Sequence, residues 1–489
     1  MSSIKNSAFM DIDKISNSFR NIDKENFITE ENSEQIANKK KSELHQDLFW
    51  MFRILIMFFK LIGLATFGHR IVIYKKRTSY TFQYSKLGIV YNVVLSSLMI
   101  ASNYMSIPFR LNWEYKIKTN LSVGIAVLQT VLGTLVICVT LISYCINQKS
   151  YMSIPFRLNW EYKIKTNLSV GIAVLQTVLG TLVTCVTLIS YCINQKSLMR
   201  IANRLITIEH EIDRLYDLYY PLRRQRILCT MIIICILKIC LMTLLLFTEI
   251  LTINTGPVSW LTDVLPTFHV SWLLIQYFLL VTVIQTDFAN VNRAIQSLTR
   301  INTPDLRLQS LYQTRRIVVN NSTVHQLLQL RDVHCHLCEI SEDVSSFYSL
   351  PLLFGIVFLF LTLIYNGYYF LSFLMTDHIL NYFYNIINVI VWIICVIYPI
   401  SLLTNRITRI LIEIKKTGNI VHDLLNRAIG KEIKAELKKF SLQLLHRKIQ
   451  FTANGYFTLD NTFLHSLIGT VVTYLVILVQ FQMGSRIIN

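Results

Sequence analysis

Four residues with metal-ligand chemistry, His334, Cys335, His336 and Cys338, fall within one short stretch of LRDVHCHLC. A tetrahedral ion needs ligands spread around it, and structural zinc sites take them as two separated pairs. No second pair lies nearby in the sequence. Leu330, His334, Leu337 and Cys338 instead recur at helical spacing, so neither a metal nor a cofactor is expected here. Lys238 is the second chemical signal, an ammonium inside a long apolar run. A charge in that setting marks a functional site by default, with snorkelling or a carboxylate from another segment as the alternatives. Glu249 lies about three helical turns further along the same run and cannot reach it. No nucleophile with a base, carboxylate pair or phosphate-cradling loop occupies a plausible site, so no enzyme is expected.

Three further sets combine amides, aromatic rings and small polar groups. They are His269, Trp272 and Gln276; Tyr365, Tyr369 and Ser372; and Asn381, Asn385, Asn388 and Trp392. Each set occupies one face of a helix, and each is expected in the outer half of an apolar segment. Such faces serve as polar glue between membrane helices. They also describe a pocket for a small polar or aromatic ligand.

The last apolar run, Leu464 to Met483, has no Lys, Arg, Asp or Glu and is long enough to cross a hydrocarbon core as a helix. Thr473 and Gln480 share a face one heptad apart, and so do Tyr474 and Phe481. An amide is costly against lipid, so Gln480 is expected to face protein or water. The stretch TYLVILVQF, with its approach FSLQLLHRKIQFTANGYFTLDNTF, resembles the carboxyl-terminal signature of the insect gustatory receptors. LRDVHCHLC is similar to that family's loop before the fifth span.

Composition sets the kind of scaffold that carries these residues. The chain has 489 residues, 53% of them hydrophobic and 16% charged, with a formal net charge of +18. A soluble domain is rarely so apolar. The basic residues crowd into loops between apolar runs, so the charge follows the positive-inside rule and no nucleic-acid partner is expected. The ten cysteines lie in apolar runs or in one basic loop, and no disulfide framework is implied. Residues 1–47 read as a cytosolic polar arm without a cleaved signal, and 48–83 as an interfacial or re-entrant helix and a basic loop. Spans one to four lie within 84–286, a cytosolic helical loop within 287–346, and spans five and six within 347–404. A cytosolic anchor loop (405–463) leads to the last span and a short external tail (464–489).

Residues 104–150 and 151–197 are the same string, differing only at Ile137 and Thr184. Each copy carries one span, so the duplicate changes the parity of every later crossing. The loops 194–226, 287–346 and 405–450 hold seven, six and eleven Lys or Arg, while 254–263 and 376–378 hold none. All three basic loops belong in the cytosol only if one copy is left uncounted. One copy is therefore an error in the sequence or a segment that does not insert. Counting one copy, the expected fold is an all-α membrane protein. It has seven transmembrane helices in an inverted topology, amino terminus inside and carboxyl terminus outside, plus one extra duplicated span.

The resemblance implies the same inverted plan and a tastant-gated, weakly selective cation channel in which four subunits surround one pore. It implies that Thr473, Ile477, Gln480 and Phe481 form the pore and gate. It also implies that a small-molecule tastant, a sugar or bitter compound, binds among the outer helix faces. That pocket would hold His269, Trp272, Gln276, Tyr365, Tyr369, Asn385, Asn388 and Trp392. Leu475 stands where many of the family's sugar receptors have Glu, which lowers the expectation of a disaccharide. Membrane lipid and other gustatory receptors, in a homo- or heterotetramer, are the implied partners, and the plasma membrane of gustatory receptor neurons the implied location. Read from the residues alone, the last span either lines a pore or merely anchors the bundle. A metabotropic seven-helix chemoreceptor and a secondary transporter remain the alternatives. The inverted plan argues against the first, and a direct tandem copy, in place of inverted repeats, argues against the second.

Overall fold

A computed structural model describes residues 55–74, 77–114, 168–216, 221–252, 264–301, 321–374, 383–427 and 431–488. The 1–47 arm, the span of the first copy from Thr119 to Asn147 and Asn381 lie outside the described residues. The chain divides into two compact units. In the smaller unit the described residues, 55–59 and 221–232, are helical. The larger unit holds the remaining described residues.

Its order is β1 (Gly68–Tyr74), β2 (Arg77–Gln83), α1 (Lys86–Glu114), α2 (Leu168–Ile193), α3 (Gln195–Tyr216) and α4 (Pro221–Thr252, within this unit from Ile233). Then come α5 (Leu265–Ile301), α6 (Asn321–Leu374), α7 (Phe383–Arg427), α8 (Lys431–His446), β3 (Thr452–Ala453), β4 (Phe457–Thr458) and α9 (Asn461–Ile488). Among the described residues, stretches of α2, α4, α5, α6, α7 and α9 are long and apolar enough to cross a membrane, and a shorter apolar stretch, Lys86–Ala101, opens α1. The protein is a multi-pass membrane protein of nearly all-helical fold. Among the described residues, two short antiparallel hairpins are the departure from an all-α chain. The first pairs Gly68 with Gln83 through Tyr74 with Arg77, in place of the expected basic loop. β-branched and aromatic residues in both strands favour this pairing over a helix.

The helices also overrun the expected spans. α6 runs 54 residues through Pro351, and α7 runs 45 residues through Pro399, so part of the expected 405–463 loop is the end of α7. α5 is buried on all sides and forms the axis of the core, against which α2, α6 and α7 pack. Helix α2, which belongs to the second copy of the repeat, is built into this core. Leu182, Val183, Cys185, Val186 and Leu188 of α2 are buried, and so is Thr184, the position that distinguishes the copies.

At the far ends of the long helices, ion pairs join α3, α6 and α8. Arg447 forms two hydrogen bonds to Glu342 at 3.1 and 3.2 Å, Arg331 meets Glu436 at 2.8 Å, and Arg204 meets Asp343 at 3.3 Å. The Lys439 hydrogen bond, with Arg331 beside it, holds the Glu436 carboxyl below the ordinary carboxylate range. The second hairpin turns at Asn454 and Gly455, both left-handed with φ of 52° and 78°. Left-handed pairs of this kind suit a tight hairpin turn, and Asn-Gly supplies them at little cost. Asp460 then caps α9 by accepting the Phe463 N–H at 3.1 Å.

The two single deletions, 104–150 and 151–197, leave the same chain except for Ile or Thr at one buried position of α2. Both shortened chains are expected to reach the cell surface. Surface biotinylation checks this, and a full chain that reaches the surface while neither deletion does would refute it.

Candidate functional site

An irregular strap, residues 62–67, enters the helical core. Gly63 takes φ of +80°, and a Cβ there would lie 2.6 Å from Leu188, so the strap requires glycine at this point. Leu64, Ala65, Thr66 and Phe67 are buried. Backbone carbonyls outside a helix need other donors in an apolar core. Tyr91 Oη donates to the Leu61 carbonyl, Asn92 Nδ2 to Gly63 at 2.8 Å, Gln276 Nε2 to Leu64 at 3.0 Å, and Gln195 Nε2 to Thr66. Gln276 also accepts from Tyr191 Oη at 2.6 Å. Beside this set the rings of Tyr277 and Tyr348 stack with centroids 4.5 Å apart.

The second polar arrangement lies between α4 and α7. Most of α4 is exposed, but Lys238, Met242, Leu245 and Glu249 form a buried stripe with heptad-like spacing. At one end Lys238 Nζ donates to the Cys395 carbonyl at 3.0 Å. Pro399 lies four residues beyond Cys395 and has no N–H, so it removes the donor that this carbonyl would have inside a regular helix. The Lys238 side chain replaces it. At the other end Glu249 Oε2 accepts from Asn388 Nδ2 at 2.9 Å and from Trp392 Nε1 at 3.1 Å. Thr248 Oγ1 donates to Asn388 Oδ1 at 2.9 Å, which aims the amide's NH2 group at the carboxylate. Met242, Leu245, Val264, Val391, Trp392 and Cys395 form the apolar cluster between these ends.

The expected pocket residues thus fall into separate groups. Gln276 belongs to the strap, whereas Asn388 and Trp392 belong to the α4–α7 seam. Trp272 is buried with its ring 6.2 Å from that of Phe268, which itself packs on the seam cluster. His269 is buried, and its Nε2 has no hydrogen-bond partner among the described residues. Tyr365 and Tyr369 pack edge to face at 4.7 Å, and Asn385 is half-buried. His334 is enclosed by the rings of Phe288 and Phe440 at 5.2 and 5.6 Å, with Cys338 Sγ 3.6 Å from its Nδ1. These surroundings are those of a packed core histidine. Sequence reasoning missed Glu249 as a site residue. Its shared helix face with Lys238 was the available signal, since both had to turn toward one neighbour to leave the lipid.

Helix α9 behaves differently. Only 6% of its apolar window is buried, against 83% for α5. It comes close to α6 at Gly367, where a Cβ would lie within 2.6 Å of Leu475 Cδ1. Tyr474 meets Phe360 edge to face at 6.0 Å. Thr473, Ile477 and Gln480 are exposed, while the side chain of Phe481 lies outside the described residues.

Residues 150–485 match the family model described as 7tm Chemosensory receptor, a match that starts at the second copy of the repeat. The chain belongs to the 7tm chemosensory receptor family. It is 30% identical over 195 residues to putative gustatory receptor 28b of Drosophila melanogaster, covering 39% of this chain and 42% of that protein. It is 25% identical over 262 residues to putative gustatory receptor 28a of the same species, covering 47% and 58%. The matched parts thus span about half the length of these relatives. The solved insect olfactory receptor OR5 from Machilis hrabei aligns over 80% of this chain and 99% of its own, with 15% identity and a TM-score of 0.46.

Lys238→Met should strand the Cys395 carbonyl, an orphaned buried acceptor costing about 1–3 kcal/mol, and lower surface expression. Adding Pro399→Ala restores a backbone N–H opposite that carbonyl. The double variant is therefore expected to recover expression, as measured by surface labelling. A double variant no better than Lys238→Met alone would contradict this role for the lysine.

Proposed function

We propose that this chain is a gustatory receptor acting as a ligand-gated, weakly selective cation channel, with α9 as the pore helix. The observation that carries the reading is the exposure of α9 together with its polar stripe. Ser466, Gly469, Thr473, Ile477 and Gln480 follow one side of the helix and are exposed. A Cβ at Gly469 would meet nothing within 4 Å. Small and polar residues suit contacts between membrane helices, whereas an amide directed at lipid is costly. Copies of α9 meeting around an axis, in a tetramer with itself or with other gustatory receptors, would give this stripe protein and water to face.

Membership of the chemosensory receptor family supports the same reading. The positive-inside count supports a cytosolic amino terminus and an external carboxyl terminus in the plasma membrane of a chemosensory neuron. The pore would be ringed by Gln480 amides with an apolar constriction at Ile477 and Phe481, able to stop ions by dewetting. No anionic side chain lies in this span, so discrimination among cations would be weak.

The agonist would be a small molecule bound at the α4–α7 seam, with Asn388 and Trp392 at its centre. His269, Trp272, Gln276, Tyr365, Tyr369 and Asn385 would support the surrounding helices. Coupling has a short mechanical path. The Asn461 N–H that begins α9 donates to Thr408 Oγ1 of α7 at 3.0 Å, and Ser345 Oγ of α6 donates to the Gln450 carbonyl at 3.3 Å. A ligand that binds better when α7 has shifted would move the start of α9 with it, by its differential affinity for the two states.

Current recording from the full chain expressed alone tests this reading. Phe481→Ala is expected to raise ligand-independent current, and Gln480→Ala to change relative cation permeability. If both variants reach the surface and neither effect is seen, the pore is built from another helix. Trp392→Ala should shift the agonist dose-response to higher concentration without altering permeability ratios. An unchanged dose-response in a well-expressed variant would remove Trp392 from the ligand site.

A further inference from the structure

We infer that Glu249 recognises a cationic organic ligand, a protonated amine with an apolar body, held between α4 and α7. This rests on the proposed reading of the seam as the ligand site and names the chemistry that the site selects. Glu249 is only 4% exposed, three residues before the end of α4. Two N–H donors from α7 converge on its Oε2, and Thr248 fixes the amide that supplies one of them. Among the described residues nothing donates to Oε1, and no Lys, Arg or His forms an ion pair with this carboxylate. Lys238, on the same face, is turned to the Cys395 carbonyl at the other end of the stripe. A carboxylate buried among apolar groups is costly without positive charge beside it. The seam therefore holds an oriented acceptor with one open oxygen and no protein counter-charge among the described residues.

The surroundings decide which cation fits. A bare metal ion needs several oxygens, but the neighbouring polar atoms present N–H groups to Oε2, and Asn388 Oδ1 is taken by Thr248. A sugar needs many hydrogen-bonding partners, yet the adjoining wall is Met242, Leu245, Val264 and Val391, with Phe268 against it. One charged donor for Oε1, the indole of Trp392 beside it and an apolar body for the wall together describe an amine.

The test uses the purified full chain in lipid nanodiscs and thermal-shift titrations with 2-phenylethylamine and its neutral counterpart 2-phenylethanol. Wild-type protein is expected to bind the amine at least about tenfold more tightly than the alcohol, and Glu249→Gln to abolish that preference, as loss of a buried charge partner does. The Gln carbonyl still accepts from Asn388 and Trp392, so the variant keeps the seam together. Trp392→Phe should reduce the preference partially. Equal binding of the two probes to wild type, no binding of either, or an amine preference that survives in Glu249→Gln each overturns the inference. If Glu249→Gln fails to fold, the wild-type comparison of amine with alcohol still decides. Current recordings separate this inference from the reading beneath it. Neutral agonists opening the channel with no amine preference would defeat the amine site alone. A Glu249-dependent amine preference in a chain that never conducts would defeat the channel alone.

Discussion

A backbone carbonyl removed from water must find a donor, and much of the described core is arranged around that requirement. Helices satisfy it internally, so the informative places are those where the helix is interrupted. The strap at 62–67 lies among α1, α2 and α5 with Tyr91, Asn92, Gln276 and Gln195 supplying donors to four carbonyls in and beside it. These donors come from α1, α5 and the start of α3, so the strap ties together elements far apart in sequence. Pro399 creates the same problem inside α7, and Lys238 of α4 answers it. An intramembrane lysine is thereby explained by the chemistry of a proline four residues beyond its partner.

The same logic separates the two ends of the α4–α7 seam. At the Lys238 end, a charged donor meets an acceptor left open by the fold. At the Glu249 end, donors from Asn388 and Trp392 meet a carboxylate whose charge no described residue balances. The first end is complete among the described residues, and the second is left without a counter-charge among them. That asymmetry sets Glu249 apart from the many polar groups that merely join helices. Helix α9 is incomplete in another sense, because its neighbours leave most of its surface open while its polar stripe is ill suited to lipid.

Helix α2 shows where the second copy of the repeat packs. A single residue distinguishes the two strings, and in the second copy that residue, Thr184, is buried. The second copy runs from α2 into the first residues of α3, where its Gln195 holds the strap, and α3 pairs with α6 through Arg204.

Much was legible in the sequence because hydrocarbon imposes one-dimensional rules. Apolar length marked the crossing helices, the heptad of Thr473 and Gln480 marked a polar face on the last one, and helical spacing correctly placed His334 on a helix. The continuity of α6 through Pro351 and α7 through Pro399 was hidden, because packing against neighbours can hold a helix through a residue that would end it in isolation. The β1–β2 hairpin was hidden behind its basic residues. Spacing grouped Gln276 with Trp272 and Asn388 with Trp392, but could not say that the first amide would turn to a strap and the second to a carboxylate. The periodicity of a helix determines which side chains share a face. Which partner that face meets, here 143 residues away for Trp392 and Glu249, is decided only when the helices pack.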